Sequence, residues 1–214
     1  MTPAVQWLGR VPYRQAWRHQ HLRREGVLAG HAPEVVWMVE HEPVITTGRR
    51  EAPGVPDAAW LQRRGIDRVR VERGGLATWH GPGQLVGYPI LHLERRGLGV
   101  RAYVHALEEG VIRWLRGRQI PADRRDGYPG IWVGREKICA LGVQVHKGVS
   151  IHGFALNLDP DMAGFSLIVP CGISDGGVTS VALQGGGHWA PHQAAQEVGQ
   201  AVLSAVMEIV PPRR

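Results

Sequence analysis

Cys171 stands between Pro170 and Gly172 in the segment VPCGI. Proline fixes the backbone before it and glycine clears space beside it, so the context suits a nucleophile presented on a loop. A thiol attacks as the thiolate, which needs a cationic neighbour to form near neutrality. The chain offers few amines for that purpose: its 25 basic residues comprise 23 Arg and only two Lys, Lys137 and Lys147. Arginine cannot give up its proton in a protein, so any lysine chemistry must use one of these two. Lys147, between His146 and Gly148, has no motif around it and reads as a solvated turn residue. Lys137 lies in EKICALG (136–142), where a strand would put it on one face with Cys139 and Leu141. Such a lysine either snorkels from an edge strand or serves as a deprotonatable amine. Cys139, flanked by Ile138 and Ala140, reads as a small buried hydrophobe.

A second segment, RGGLATWHGPGQ (73–84), carries four glycines and a proline around Thr78, His80 and Gln84. It is richer in hydrogen-bonding groups and close-approach residues than a turn requires. It has neither a Walker pattern nor a GxGxxG that opens a helix, so it is not a phosphate cradle of either kind. His80 reads as a packed loop histidine or as a ligand-facing one.

The elements that must position these residues follow from patterning. Tyr13 to Gly26 predicts a helix with Trp17 and Leu22 on its apolar side, and Arg101 to Arg118 a second, with Val104, Leu107, Val111 and Leu115 at helical spacing. A third follows Pro191. Asp57 is placed to cap a short helix, AAWLQRRG. Val35–Glu40, Val44–Thr47 and Arg68–Glu72 read as strands, and GIWVG, KICALGVQV and GVSIHGFALNL as three meandering antiparallel strands. The fold class expected is α+β with a largely antiparallel sheet and packed helices.

At 214 residues, 43% apolar and 21% charged, the chain suits one globular domain, or at most two small ones. The +6 net charge favours acidic partners. The arginines are scattered in pairs, with no zinc-finger spacing or RNP-like aromatic motif, so a nucleic-acid partner is not expected. The 11 histidines form no HExxH or Cys/His ligand spacing, so no metal is expected. The first residues contain no signal-like apolar region and no run approaches a membrane span, so a soluble cytoplasmic protein with free thiols and no membrane partner is expected.

RGGLATWHGPGQLVGYPI, EKICALG, SIHGFALNL and PCGI, in this order and spacing, closely resemble the lipoyl(octanoyl) transferases; HEPVITTGR, LGVRAYVHALE and YPGIWVG add weaker matches. The resemblance implies one catalytic acyltransferase domain over 1–214, folded like the catalytic domains of biotin and lipoate protein ligases. It implies octanoyl transfer from octanoyl-acyl carrier protein to a lysine of lipoyl domains, those of 2-oxoacid dehydrogenase complexes and the glycine cleavage H protein, with no cofactor. An ATP-dependent lipoate protein ligase of the same fold is the alternative. By motif position, Cys171 corresponds to the acyl-thioester nucleophile and Lys137 to the lysine that lowers its pKa. Three segments correspond to the substrate-binding residues: Arg73, Gly74, Gly75, Leu76, Ala77, Thr78, Trp79 and His80; Ala140, Leu141 and Gly142; Gly153, Phe154 and Ala155. Trp79 stands where the family commonly has Tyr, and the tail after Ser180 matches no pattern.

Overall fold

The computed structural model describes residues 2–50, 53–168 and 176–209, so Cys171 lies outside the described residues. A central sheet is built on β2 (Val35–Glu40), β6 (Gln84–Ile90) and β10 (Val149–Asn157). β2 is buried along its whole length: Val36 and Met38 face one layer, Val35, Trp37 and Val39 the other. Covering on both faces is why VVWMV is a continuous apolar run rather than an alternating one. One layer is formed by α3 (Val100–Arg116) and α4 (Pro191–Glu208), which supply Leu107, Val111, Leu115, Val198 and Val202. The other is formed by α1 (Tyr13–Leu28), through Ala16 and Val27.

On one side of the central strands, β1 (Ala4–Arg10) pairs parallel with β2 at the sheet edge. On the other side, β10 pairs antiparallel with β9 (Glu136–His146), which pairs with β8 (Tyr128–Val133) and then β7 (Ala122–Arg125). The meander expected from the sequence is therefore present. Its β9–β10 hairpin turns on Lys147 (φ 47°) and Gly148 (φ 80°), the positive pair that a two-residue turn of this twist requires, and Lys147 is exposed. Short β11 (Gly177–Val178) adds in parallel to the Glu136–Lys137 end of β9. A separate three-stranded sheet, β4-β3-β5, combines β3 (Val44–Thr47), β4 (Asp67–Arg70) and β5 (Ala77–His80). Ahead of β4, the Asp57 carboxylate accepts from Trp60 N and caps α2 (Ala58–Gln62).

One expectation needs correction. Leu22 is 71% exposed, because the buried face of α1 is set by Tyr13, Ala16, Gln20 and Val27, and Leu22 lies well round the helix from it. The tail after Ser180 packs: Trp189 meets Trp114 edge-on at 5.8 Å, with the Arg118 guanidinium over both rings. Among the described residues, no helix is long and apolar enough to cross a membrane.

Candidate active site

Between the two sheets, beside α1, lies a narrow cavity, half open to solvent. Three segments distant in sequence converge on it. Arg73, Gly75, Ala77, Thr78 and His80 line it from the glycine-rich segment and β5; Ala140, Leu141 and Gly142 from β9; Gly153, Phe154 and Ala155 from β10. Gly74, Leu76 and Trp79 do not line it. Trp79 projects to the opposite side of β5 and packs its ring against Phe165, 5.3 Å between centroids.

The start of the glycine-rich segment is fastened to both sheets. The Arg73 guanidinium, 7% exposed, donates to Thr46 O at 2.7 Å, to Thr46 Oγ1 at 2.9 Å and to Gly74 O at 2.9 Å, tying the segment to β3. Gly74 N donates to Val143 O at 3.1 Å, tying it to β9. The approach is close enough that a Cβ on Gly142 would lie 3.0 Å from Gly74 O and 3.1 Å from Arg73 Cδ. Each hydrogen bond of this kind contributes about 1 kcal/mol net, and those to the charged guanidinium about 1.5 to 3.

Behind the cavity wall is a buried polar network whose hydrogens can be assigned. Gln84 Nε2 donates to Asn157 Oδ1 at 2.9 Å, which turns Gln84 Oε1 toward His80 Nδ1 at 2.7 Å, so Nδ1 carries the hydrogen. His41 Nδ1 donates to Val11 O at 2.6 Å, leaving Nε2 to accept from the Tyr88 hydroxyl at 2.7 Å. Tyr13 stacks on His80 at 5.7 Å and meets His41 edge-on at 5.1 Å. On the far side, His152 Nε2 lies 3.3 Å from Glu72 Oε1, and the same carboxylate receives the Trp17 indole N–H at 3.2 Å and pairs with His21 at 2.7 Å.

Burial holds these groups in fixed charge states. It brings His41 down to about 4 and, with His41 beside it, His80 down to about 3. Burial pushes the Glu72 carboxyl up, but hydrogen bonds from His152 and Trp17 outweigh it and bring the group to about 2. The sign for stability is the same throughout. The unfolded imidazoles take up protons below about 6.5 while the folded ones do not, so the contribution of His41 and His80 is full above 6.5 and lost as pH falls toward 4 and 3. The Glu72 contribution is full above its unfolded value of 4.5 and lost toward 2. The thermal midpoint, followed by circular dichroism from pH 7.5 to 4, is expected to fall steadily below pH 6.5; a flat profile contradicts the buried neutral histidines.

Lys137 does not line the cavity. It is 5% exposed near the β11 end of β9, donates from Nζ to Pro129 O at 3.0 Å, and lies 4.8 Å from the centre of the Trp132 ring. Cys139 is fully buried in the core layer and burial pushes its thiol far up, so it is no nucleophile at neutral pH. Among the described residues, no cluster of three or more His, Cys, Asp or Glu could hold a metal ion. Tyr13, Val86, Tyr88 and His152 also line the cavity and were not foreseen. For His152 the adjacent glycine, SIHGF, was the only local signal.

Residues 12–206 match the model of the lipoyl protein ligase A/B catalytic domain. An octanoyltransferase of Chloroflexus aggregans (strain MD-66 / DSM 9485) is 46% identical over 188 residues, 86% of this chain and 85% of that one. The chain belongs to the octanoyltransferase family. The fold agrees with this membership at greater distance. A chain from a structural analysis of an archaeal lipoylation system, a bi-partite lipoate protein ligase and its E2 lipoyl domain from Thermoplasma acidophilum, superposes with a TM-score of 0.62 at 15% identity, covering 97% of this chain and 84% of that one. A biotin protein ligase from Aquifex aeolicus in complex with biotin and ATP superposes at 0.58 with 12% identity, covering 99% and 73%. In this octanoyltransferase-family chain, the lining of the cavity comes from the three segments that resemble the family's substrate-binding residues, and the one buried lysine lies on β9 three residues before Ala140.

Proposed function

We propose that the chain transfers an octanoyl group from octanoyl-acyl carrier protein to a lysine of a lipoyl domain, through a thioester on Cys171. The observation that carries the reading is the largely apolar cavity between the two sheets, with the buried Lys137 amine on the same strand as Ala140 to Gly142. Burying the acyl chain there is worth about 0.8 kcal/mol per methylene.

Two facts support Cys171 as the nucleophile. The only other cysteine, Cys139, is buried in the core with its thiol pushed up. On the N-terminal side of the segment that carries Cys171, Ile168 packs with Trp79 and Phe165, and on its C-terminal side Gly177 pairs with Glu136, one residue from Lys137.

In the first half-reaction the Cys171 thiolate attacks the donor thioester. A new C–S bond forms, the carrier C–S bond breaks, and the carrier leaves as its thiol with a proton supplied at the site. In the second, the acceptor lysine amine attacks the Cys171 thioester. The C–N bond forms, the C–S bond breaks, and Lys137 takes the proton shed by the attacking nitrogen. Thioester is exchanged for thioester before the amide forms, so ATP is not consumed.

Intact-mass analysis after mixing the protein with octanoyl-acyl carrier protein, without ATP, should show one octanoyl adduct that maps to Cys171 and discharges on adding a lipoyl domain. Cys139→Ser should retain the adduct and Cys171→Ser lose it. Adduct formation and full activity in Cys171→Ser, or an absolute requirement for ATP, would overturn the reading.

A further inference from the structure

The cavity has a direction. Along β9 and β10 its lining passes from Ala140 and Ala155, which pair with each other, to Gly142 and Gly153, which also pair. Beyond them comes His152, opposite Val143 and three residues along β9 from Ala140, roughly 10 Å at about 3.4 Å per residue, at the end away from Lys137. The Arg73 loop reaches the same level, because Gly74 N bonds Val143 O. The end remote from Lys137 is therefore polar, although the walls leading to it are small and apolar.

His152 is held there against its own backbone preference. Its φ of 59° is a left-handed conformation that non-glycine residues seldom adopt, and it falls inside a strand. Its amide donates to Gln20 Oε1 at 2.8 Å, and its Nε2 is held at 3.3 Å from Glu72. The ring is 2% exposed, and its Nδ1 has no hydrogen-bond partner among the described residues. A side chain fixed by α1, by Glu72 and by a strained backbone does not yield easily. A methylene pressed against it would have to part the imidazole from a carboxylate that is itself partly buried, removing one of the groups that hold that charge.

We propose that His152 is the specificity-determining end wall of the acyl cavity, setting the longest chain that fits. The inference rests on the proposed function for its orientation, with the reacting carbonyl at the Lys137 end.

Binding of free saturated fatty acids from hexanoate to dodecanoate, measured by isothermal titration calorimetry, tests it without donor protein, acceptor or Cys171 chemistry. In the wild type, affinity should rise about four-fold per methylene, the equivalent of about 0.8 kcal/mol, up to eight carbons and then drop. His152→Gly accepts the left-handed backbone and removes the wall; the maximum should move to ten or twelve carbons, with the decanoate-to-octanoate affinity ratio up at least ten-fold. His152→Asn, which also tolerates this backbone, should move it in the same direction by less, and serves if the glycine variant does not fold. A maximum left at eight carbons in a folded variant, or a uniform loss at all lengths as expected of a purely structural residue, would overturn the proposal, as would a wild type with no break at eight. Acylation of Cys171, followed separately by mass, reports on the proposed function whatever the binding series shows.

Discussion

Lys137→Arg should stop octanoyl transfer while still permitting Cys171 to be acylated. In the proposed mechanism the substitution keeps a cation to stabilise the thiolate but replaces an amine that can accept a proton with a guanidinium that cannot. Overall turnover is expected to fall by about 10²- to 10⁴-fold, the usual worth of a positioned general base, with the octanoyl adduct accumulating on the protein. Lys137→Met, which keeps the unbranched stem that passes Gly130 and Trp132, should lose the adduct as well, because the thiolate then lacks its counter-charge. The pair of variants separates the two roles in one mass-spectrometric experiment. Rapid full turnover in Lys137→Arg would remove Lys137 from proton transfer. Among the described residues, the lysine's partners are a carbonyl oxygen and an aromatic ring, both neutral, so replacing it with Met strands no carboxylate among them.

Gly153→Ala should be among the most damaging single-atom additions to the fold. A Cβ at this position would stand 2.2 Å from Gly87 O and 2.8 Å from Pro89 Cδ, just beyond the Phe154–Gly87 end of the β6–β10 ladder, where a backbone oxygen and a proline ring are the neighbours and no flexible side chain can give way. A loss of about 3 kcal/mol or more is expected, lowering the thermal midpoint by roughly 6 to 12 °C. Gly74→Ala is the control. It belongs to the resemblance-derived substrate segment, yet its Cβ would meet only Val143 O at 3.8 Å, and its effect should stay within about 0.5 kcal/mol. Differential scanning calorimetry on both variants decides; equal midpoints would mean that the central ladder shifts to admit a methyl.

Local patterning made much of this architecture readable, and its failures have local causes too. The 8–10 meander and helices α1, α3 and α4 follow from periodicity and from Pro191, and three glycine-bearing segments advertise close backbone approach. β1 was missed because AVQWLGR is largely exposed at an edge, and its pairing with Val35–Glu40 is settled by parallel contacts some thirty residues away. Leu22 was misassigned because two apolar residues suggested a stripe on α1 that Gln20, a buried polar residue held by β10, shows to lie elsewhere. Glu72 and His152 are 80 positions apart, and no spacing rule joins them. Trp79 could not be separated from its motif neighbours until strand alternation turned it toward Phe165.

The two walls of the cavity do not share one stability. The β6–β10 wall belongs to a sheet covered on both faces, whereas Ala77 and Thr78 belong to a three-stranded sheet whose outer strands, β4 and β5, pair only with β3 among the described residues. Opening the cavity therefore costs the local free energy of the small sheet and not that of the core. A greasy chain can be admitted and released by breathing of one side, while the strands that carry Lys137 and His152 keep their register.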